Sequence, residues 1–484
     1  MKPEASLSQR VTKGGLWVFA LRMLENVLRL MKLVIVARLL APHDFGLFGI
    51  ALLAMSALET FSQTGFQTAL VQKKGDIAPY LNNAWTVSII RGIFLFIILF
   101  LGAPYIALFF SNPKASPIIQ VIGASLLVGG FTNSGIVYLQ KELKFNKQFL
   151  YRLSTTIADF VVVLAAALIL RNVWALVFGM LAGSFAGVAA SYMIHPYRPH
   201  FTLDIEKSRE LFGFGKWVFG SAVLVFLITQ GDDAFVGKFL GVTMLGFYQM
   251  AYRISNMPAT EITHVISQVT FPAYSKIQDD LPRLREAYLR VLQFTAFLSF
   301  PISGLIFVLA PDFTKLFLGE KWLPIVPAMQ VLCLFGLVRS FGATTGPLFH
   351  GVGAPKILTN LAMFQLLLLA AIIYPLTVQW GLIGTSIAVL SPNIITQLIA
   401  ARKVIHIIKA RVLNFTMLLI IPIIGTSIMI IAILLLKHFS KAYLLSFLIY
   451  IFTGPVIYLG FIYLFDIILT TNYKKGILAL IKSL

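Results

Sequence analysis

Cysteine is nearly absent from this 484-residue chain, where Cys333 stands alone. That excludes an internal disulfide and any cysteine-rich metal site. Charge is scarce as well: Asp, Glu, Lys and Arg make up 12% of the residues, with 19 acids against 39 Lys and Arg. No Walker A sequence occurs, which excludes nucleotide hydrolysis by that route. Asp232-Asp233 looks like the metal-binding acid pair of glycosyltransferases, but it lies in an apolar segment with no catalytic domain around it. GGFTNSG (129–135) reads as small-residue helix packing rather than a phosphate loop. No polar connection is long enough for a soluble domain; the longest spans 195–213.

Apolar sequence fills the chain instead, at 58% of residues and a mean hydropathy of +0.87. Runs such as LFIILFLGAPYIALFF (95–110), VVVLAAALIL (161–170) and FTMLLIIPIIGTSIMIIAILLL (415–436) exceed what a soluble core uses. A bilayer requires about 20 mostly apolar residues per helical span. There is no ten-residue alternation of the barrel kind, so the spans are helical. The first apolar segment is long, carries charges and lacks an A-x-A-like exit, unlike a cleaved signal peptide. An all-α integral membrane protein is expected, with about fourteen spans. They fall near 14–38, 45–69, 80–104, 117–139, 150–170, 173–194, 214–238, 245–269, 288–311, 323–346, 356–378, 381–401, 413–436 and 443–467. Three polar stretches read as amphipathic helices on the membrane surface: 195–213, 279–290 and the tail 472–484. Asp280 is expected to cap the second, with Pro282 tolerated in its first turn.

Of the 39 Lys and Arg, 25 fall in the termini and in the connections that would share a side with them. Only 8 fall in the opposite connections. This asymmetry places both termini in the cytoplasm, with 141–152 and 402–411 on that side and 312–321 facing outward. It also accounts for the net charge of +20 without nucleic acid as a partner.

The chain repeats itself at an offset of 200. GLWVF (15–19) matches GKWVF (215–219), ARLLA (37–41) sits on GKFLG (237–241), and FGLF (45–48) sits on LGFY (245–248). Gly46 thereby meets Gly246. Two six-span halves that start on the same side are parallel repeats about an axis along the membrane normal, a plan that places substrate between the halves. The expected lobes are 1–205 and 206–405, with 406–484 carrying two further spans and the amphipathic tail.

Ionisable residues inside spans are the candidates for function. Span one carries Arg22, Glu25, Arg29 and Lys32 within an arc of roughly 80°. Each would cost roughly 2.5–3.5 kcal/mol facing lipid at the helix centre. A Glu25–Arg29 pair at i,i+4 compensates two of them and leaves Arg22 and Lys32 over. Span two carries Glu59, Gln63 and Gln67. Span seven carries Asp232 and Asp233, and span eight carries Gln249, Arg253, Asn256, Thr260, His264 and Ser267 on one face. Either these polar faces bury one another or they line a shared aqueous cavity; the second reading is preferred. Asp159 is a lone acid in span five, and Arg91 and Arg339 sit near span ends, where they can snorkel.

VARLLAPHDFGLFGIA (36–51), FVGKFLGVTMLGFYQMAYRISNMP (235–258) and VTFPAYSKIQDD (269–280) carry a resemblance. They are similar to the polysaccharide-transport, Wzx-type branch of the multidrug/oligosaccharidyl-lipid/polysaccharide exporter superfamily. The resemblance implies fourteen helices in two six-helix lobes and the flipping of an undecaprenyl-diphosphate-linked oligosaccharide across the bacterial inner membrane. It implies no cofactor beyond an H+ or Na+ gradient, and it offers membrane lipids and polysaccharide polymerase or export machinery as partners. Basic residues line the cavity in related flippases, a role that falls here on Arg22, Arg29 and Lys32, with Arg253 from span eight. Arg suits a diphosphate by bidentate contact and Lys as a point charge. Asp232, Asp233, Glu59, Asp159 and Glu25 are the candidates for ion coupling. A drug antiporter of the same superfamily is the alternative, against which a basic cavity argues. A membrane glycan polymerase or ligase is a further one, and it would need a long outer loop.

Overall fold

The computed structural model describes residues 7–62, 70, 75–142, 144–439 and 444–469. The regular structure among these residues is helical, with no β-strand. The chain forms two compact units, Met1–Gly246 and Phe247–Leu484.

The first unit holds α1 (Leu7–Leu39), α2 (Pro42–Phe61), α3 (Ala78–Phe109), α4 (Ala115–Gly130), the short α5 (Val137–Lys141), α6 (Phe145–Leu170), α7 (Trp174–Ile194) and α8 (Ile205–Phe239). α1, α6 and α7 share a core of Val36, Leu40, Val163, Ala167, Ala175 and Leu176. The α6–α7 hairpin is tight because Gly179, Gly183 and Gly187 recur every fourth residue on α7. A Cβ at Gly179 would lie 1.9 Å from Val163 Cγ2. The start of α2 is specified locally. Pro42 opens the helix, and the Asp44 carboxylate accepts from Ala41 N–H at 3.0 Å and from Val173 N–H at 3.1 Å, tying α2 to the head of α7.

The second unit continues α9 (Val242–Lys276) and adds α10 (Leu281–Phe313), α11 (Val326–Gly351), α12 (Pro355–Ile407), α13 (Val412–Phe439) and α14 (Leu444–Leu469). At 53 residues α12 would reach about 80 Å, over twice the hydrocarbon thickness. It breaks at Gly381, whose φ of 57° and ψ of −132° suit glycine, so it forms two spans. α10, α13 and α14 share a core around Val308, Met429, Ile433 and Phe447.

Nine described helices are long and apolar enough to cross a membrane, or ten with a bent pair. The expected fourteen requires in addition the break at Gly381 and the polar helices α1, α8 and α9. Three expectations are corrected. Span four is bent by 72° between Ala115–Gly130 and Ser134–Lys141, at GGFTNSG. Of its glycines, Gly130 packs a helix as read, since a Cβ there would lie 2.9 Å from the Ser88 carbonyl oxygen, whereas nothing lies within 4 Å of a Cβ at Gly129. No separate surface helix covers 195–213, because residues 195–204 are non-helical and α8 runs unbroken from Ile205. Likewise 279–290 is the opening of α10, with nothing to break the helix after Arg290. Asp280 caps it as expected, its Oδ1 accepting from Arg283 N–H at 3.1 Å. Gln63, Gln67, the 472–484 tail and the side chains of Arg22 and His264 lie outside the described residues.

Candidate functional site

The repeat has a physical counterpart inside the first unit. The His43 ring lies 3.3 Å from the Thr243 hydroxyl, two residues 200 apart. A Cβ on Gly46 would come within 1.8 Å of the Val242 carbonyl oxygen, and a Cβ on Gly246 within 2.1 Å of the Pro42 carbonyl oxygen. Shifting each residue by 200 exchanges these two contacts. The opening turns of α2 and α9 therefore meet reciprocally, backbone to backbone, at repeat-equivalent positions where only glycine fits.

The charged stripe of α1 is paired more fully than the sequence suggested. Glu25 is buried and contacts Arg29 at 3.6 Å, the i,i+4 pair. Lys32, expected to be left over, donates from Nζ to Asp159 Oδ2 on α6 at 2.5 Å. Asp159 is thus no lone acid. It lies against the glycine face of α7, with Gly183 leaving room beside its Cβ. Arg29 differs from Lys32, because its side chain is 53% exposed and its one ion pair among the described residues is long. Around it Met23, Val27, Leu30 and Met31 are exposed apolar residues of the same helix.

Arg91 does not snorkel. It docks on the C-terminal end of α2, donating to the Ser62 carbonyl and hydroxyl and to the Glu59 carbonyl at 2.8–3.2 Å. This satisfies carbonyls that the helix end leaves over and holds a cation beside the Glu59 side chain. In α8, Asp232 is buried and its neighbour Asp233 half-buried. The polar face of α9 divides. Ser267 donates to the Ala343 carbonyl of α11 at 3.2 Å, so part of it is helix-to-helix bonding. Arg253 is exposed.

Sequence reasoning missed a strap. Residues 195–204 are held on α3 through the Asn82-Asn83 doublet. Asn82 Oδ1 accepts from the Tyr197 hydroxyl at 2.6 Å, Asn83 Oδ1 from Asp204 N–H at 2.9 Å, and Thr86 Oγ1 from Thr202 N–H at 2.9 Å. Trp85 packs on Phe201, with ring centroids 4.9 Å apart. Two adjacent asparagines in an apolar span were the available signal. His195 opens the strap: its Nδ1 accepts from Tyr197 N–H at 3.2 Å. Burial, helped by Lys144 and Lys147, holds its pKa below the ordinary imidazole value.

Polar helices packed among long apolar ones define the class: a multi-pass helical membrane protein with a transporter fold. The fold matches a solved lipid II flippase MurJ in an inward closed conformation, with a TM-score of 0.74 at 16% identity over 94% of this chain and 99% of that one. It also matches an inward-facing multidrug resistance MATE family transporter of the MOP superfamily, with a TM-score of 0.63 at 19% identity over 80% of this chain and 95% of that one. The sequence is more specific. The profile of the polysaccharide biosynthesis protein family covers residues 35–327, more than half of the chain, and the chain belongs to that family. Among its relatives are the lipopolysaccharide biosynthesis protein WzxC of Escherichia coli K12 and the teichuronic acid biosynthesis protein TuaB of Bacillus subtilis 168. The first is 26% identical over 82% of this chain and 81% of WzxC, the second 24% identical over 69% of this chain and 70% of TuaB.

Proposed function

We propose that the protein is a flippase, not an enzyme, that moves an undecaprenyl-diphosphate-linked oligosaccharide across the bacterial inner membrane by alternating access. The observation that carries this reading is Arg29, a half-exposed guanidinium with one long ion pair among the described residues, set beside exposed apolar residues on α1 of a polysaccharide biosynthesis protein. A guanidinium in that setting needs water or an anion, and its donor fork matches a diphosphate. Arg22, Lys32 and Arg253 complete the proposed basic set. Lys32 is available once a phosphate competes with Asp159 for it. The names of WzxC, TuaB and the lipid II flippase MurJ support a lipid-linked glycan as substrate. A basic stripe argues against the cationic cargo of a drug antiporter.

The proposed lobes are 1–205 and 206–405, with both termini cytoplasmic and 406–484 outside the repeat. The reciprocal contact at Gly46 and Gly246 supports the repeat, and the Lys and Arg asymmetry supports the orientation. Asp232, Asp233 and Glu59 are the proposed coupling acids, and polymerase or export machinery the proposed partner. Reconstituted protein should flip a fluorescent undecaprenyl-diphosphate glycan, and Arg22→Ala with Arg29→Ala should slow this at least tenfold at unchanged protein amount. Flipping that survives the double replacement would move the anion site off α1.

A further inference from the structure

The C-terminal end of α12 carries a groove that transport of the glycan leaves unexplained. Ile357, Ile399, Arg402, Lys403, His406 and Ile407 line it, around a volume of about 440 Å³. Ile395, Leu398, Ile399, Arg402, Lys403 and His406 recur every three or four residues, so one helix face turns from apolar to basic along its length. From Ile395 to His406 that face extends about 16 Å, half of a hydrocarbon core of about 30 Å, which is the depth of one leaflet. Its apolar part is open to lipid, Leu398 at 67% and Ile395 at 42% exposure. Its basic part occupies the last turns before α12 ends at Ile407.

Along its own stretch of chain the positive charge there is unopposed. From Trp322 to Phe465 the sequence contains no Asp or Glu. Among the described residues, no carboxylate forms an ion pair with Arg402 or Lys403. Lys356, Lys409 and Arg411 add exposed positive charge nearby. Solvated charges that merely keep a loop on one side of the membrane need no concavity. Here two cations and an imidazole converge on one, and its wall continues as a lipid-facing stripe. A soluble anion would use the head of this surface and leave the stripe bare. A ligand with a phosphate and an acyl chain uses both.

We propose that the groove binds an anionic phospholipid, with its headgroup phosphate on Arg402, Lys403 and His406 and one acyl chain along Ile399, Leu398 and Ile395. The site depends on neither the direction of transport nor its substrate. It is tested on the purified full chain in nanodiscs of phosphatidylcholine with graded phosphatidylglycerol, counting retained lipids by native mass spectrometry. Wild-type protein should retain phosphatidylglycerol in preference to phosphatidylcholine. Arg402→Gln with Lys403→Gln should weaken that retention about thirtyfold, and each single change about fivefold. The charge-keeping pair Arg402→Lys with Lys403→Arg should preserve it. If the double variant fails to accumulate, the single variants carry the same comparison. Retention unchanged by loss of both charges would overturn the proposal. So would equal competition by soluble glycerol phosphate, which marks a plain anion site, or displacement only by undecaprenyl phosphate, which gives the groove to the carrier lipid. Flipping that persists in the double variant would leave the transport reading intact while the lipid site is judged on retention alone.

Discussion

Gly46→Ala is the sharpest probe of the contact between α2 and α9. The added methyl would sit 1.8 Å from the Val242 carbonyl oxygen. Carbon-to-oxygen approaches in packed helices run about 3.3 Å or longer, so the two backbones must part by about 1.5 Å. A backbone carbonyl cannot rotate aside as a side chain can. Overpacking of this kind costs about 1–3 kcal/mol. The gain in helix propensity, up to about 1 kcal/mol, acts whether or not α2 touches α9, so it cancels between those two states. If the turns separate and rejoin during alternating access, the whole cost falls on the joined state, and its population drops about 5- to 150-fold relative to the parted one.

The assay is cross-linking of His43→Cys with Thr243→Cys, made in a Cys333→Ala background, using short bifunctional thiosulfonates. The atoms they replace are 3.3 Å apart. Gly46→Ala should slow cross-linking at least fivefold, and Gly246→Ala should do the same, since the contact is reciprocal. Gly129→Ala is the control, because nothing lies within 4 Å of a Cβ there. Equal cross-linking rates in Gly46→Ala and Gly129→Ala, with flipping unchanged, would refute the argument.

Three further outcomes follow from named contacts. Lys32→Ala strands the Asp159 carboxylate in a membrane helix, so it should lower thermal stability in detergent, and adding Asp159→Asn should recover most of the loss. The coupling between the two should be roughly 1–3 kcal/mol, and simple additivity would show that the pair does not form. Asp232→Asn with Asp233→Asn should remove the response of flipping to an imposed ion gradient while lipid-diphosphate binding stays; a full response would pass the coupling role to Glu59. Burial, first among its causes, holds the His195 pKa below the ordinary imidazole value, and its Nδ1 accepts from Tyr197 N–H. The folded protein therefore resists a proton that the unfolded chain binds, and stability should fall as pH drops through the ordinary imidazole range of about 6.5. His195→Gln should flatten that slope in melting curves recorded between pH 5 and 8, and an unchanged slope would assign it to other groups.

Hydropathy and charge were enough to read the helical membrane class and most span positions, because both depend on composition along one segment. The Asp280 cap was legible for the same reason: its partner is three residues away. The Lys32–Asp159 pair was not, since its members are 127 residues apart and meet only through the packing of α1 on α6. Arg91 is similar. Its place in an apolar run suggests snorkelling, and only the approach of α3 to the end of α2 shows the carbonyls it serves. The bend after Gly130 escaped because its glycines also serve close packing, and composition does not separate the two uses.

The repeat is the instructive intermediate case. An offset of 200 makes Gly46 and Gly246 equivalent, but equivalence says nothing about distance. Two equivalent residues can touch reciprocally only where the axis relating them passes between them, as at an isologous interface. Gly46 on Val242 and Gly246 on Pro42 have the reciprocal form that such a contact takes, within the first unit. Side chains are least tolerated there, because each would meet the backbone of the opposite opening turn. Glycine at both positions follows from that close approach, and the offset of 200 in the sequence matches its recurrence.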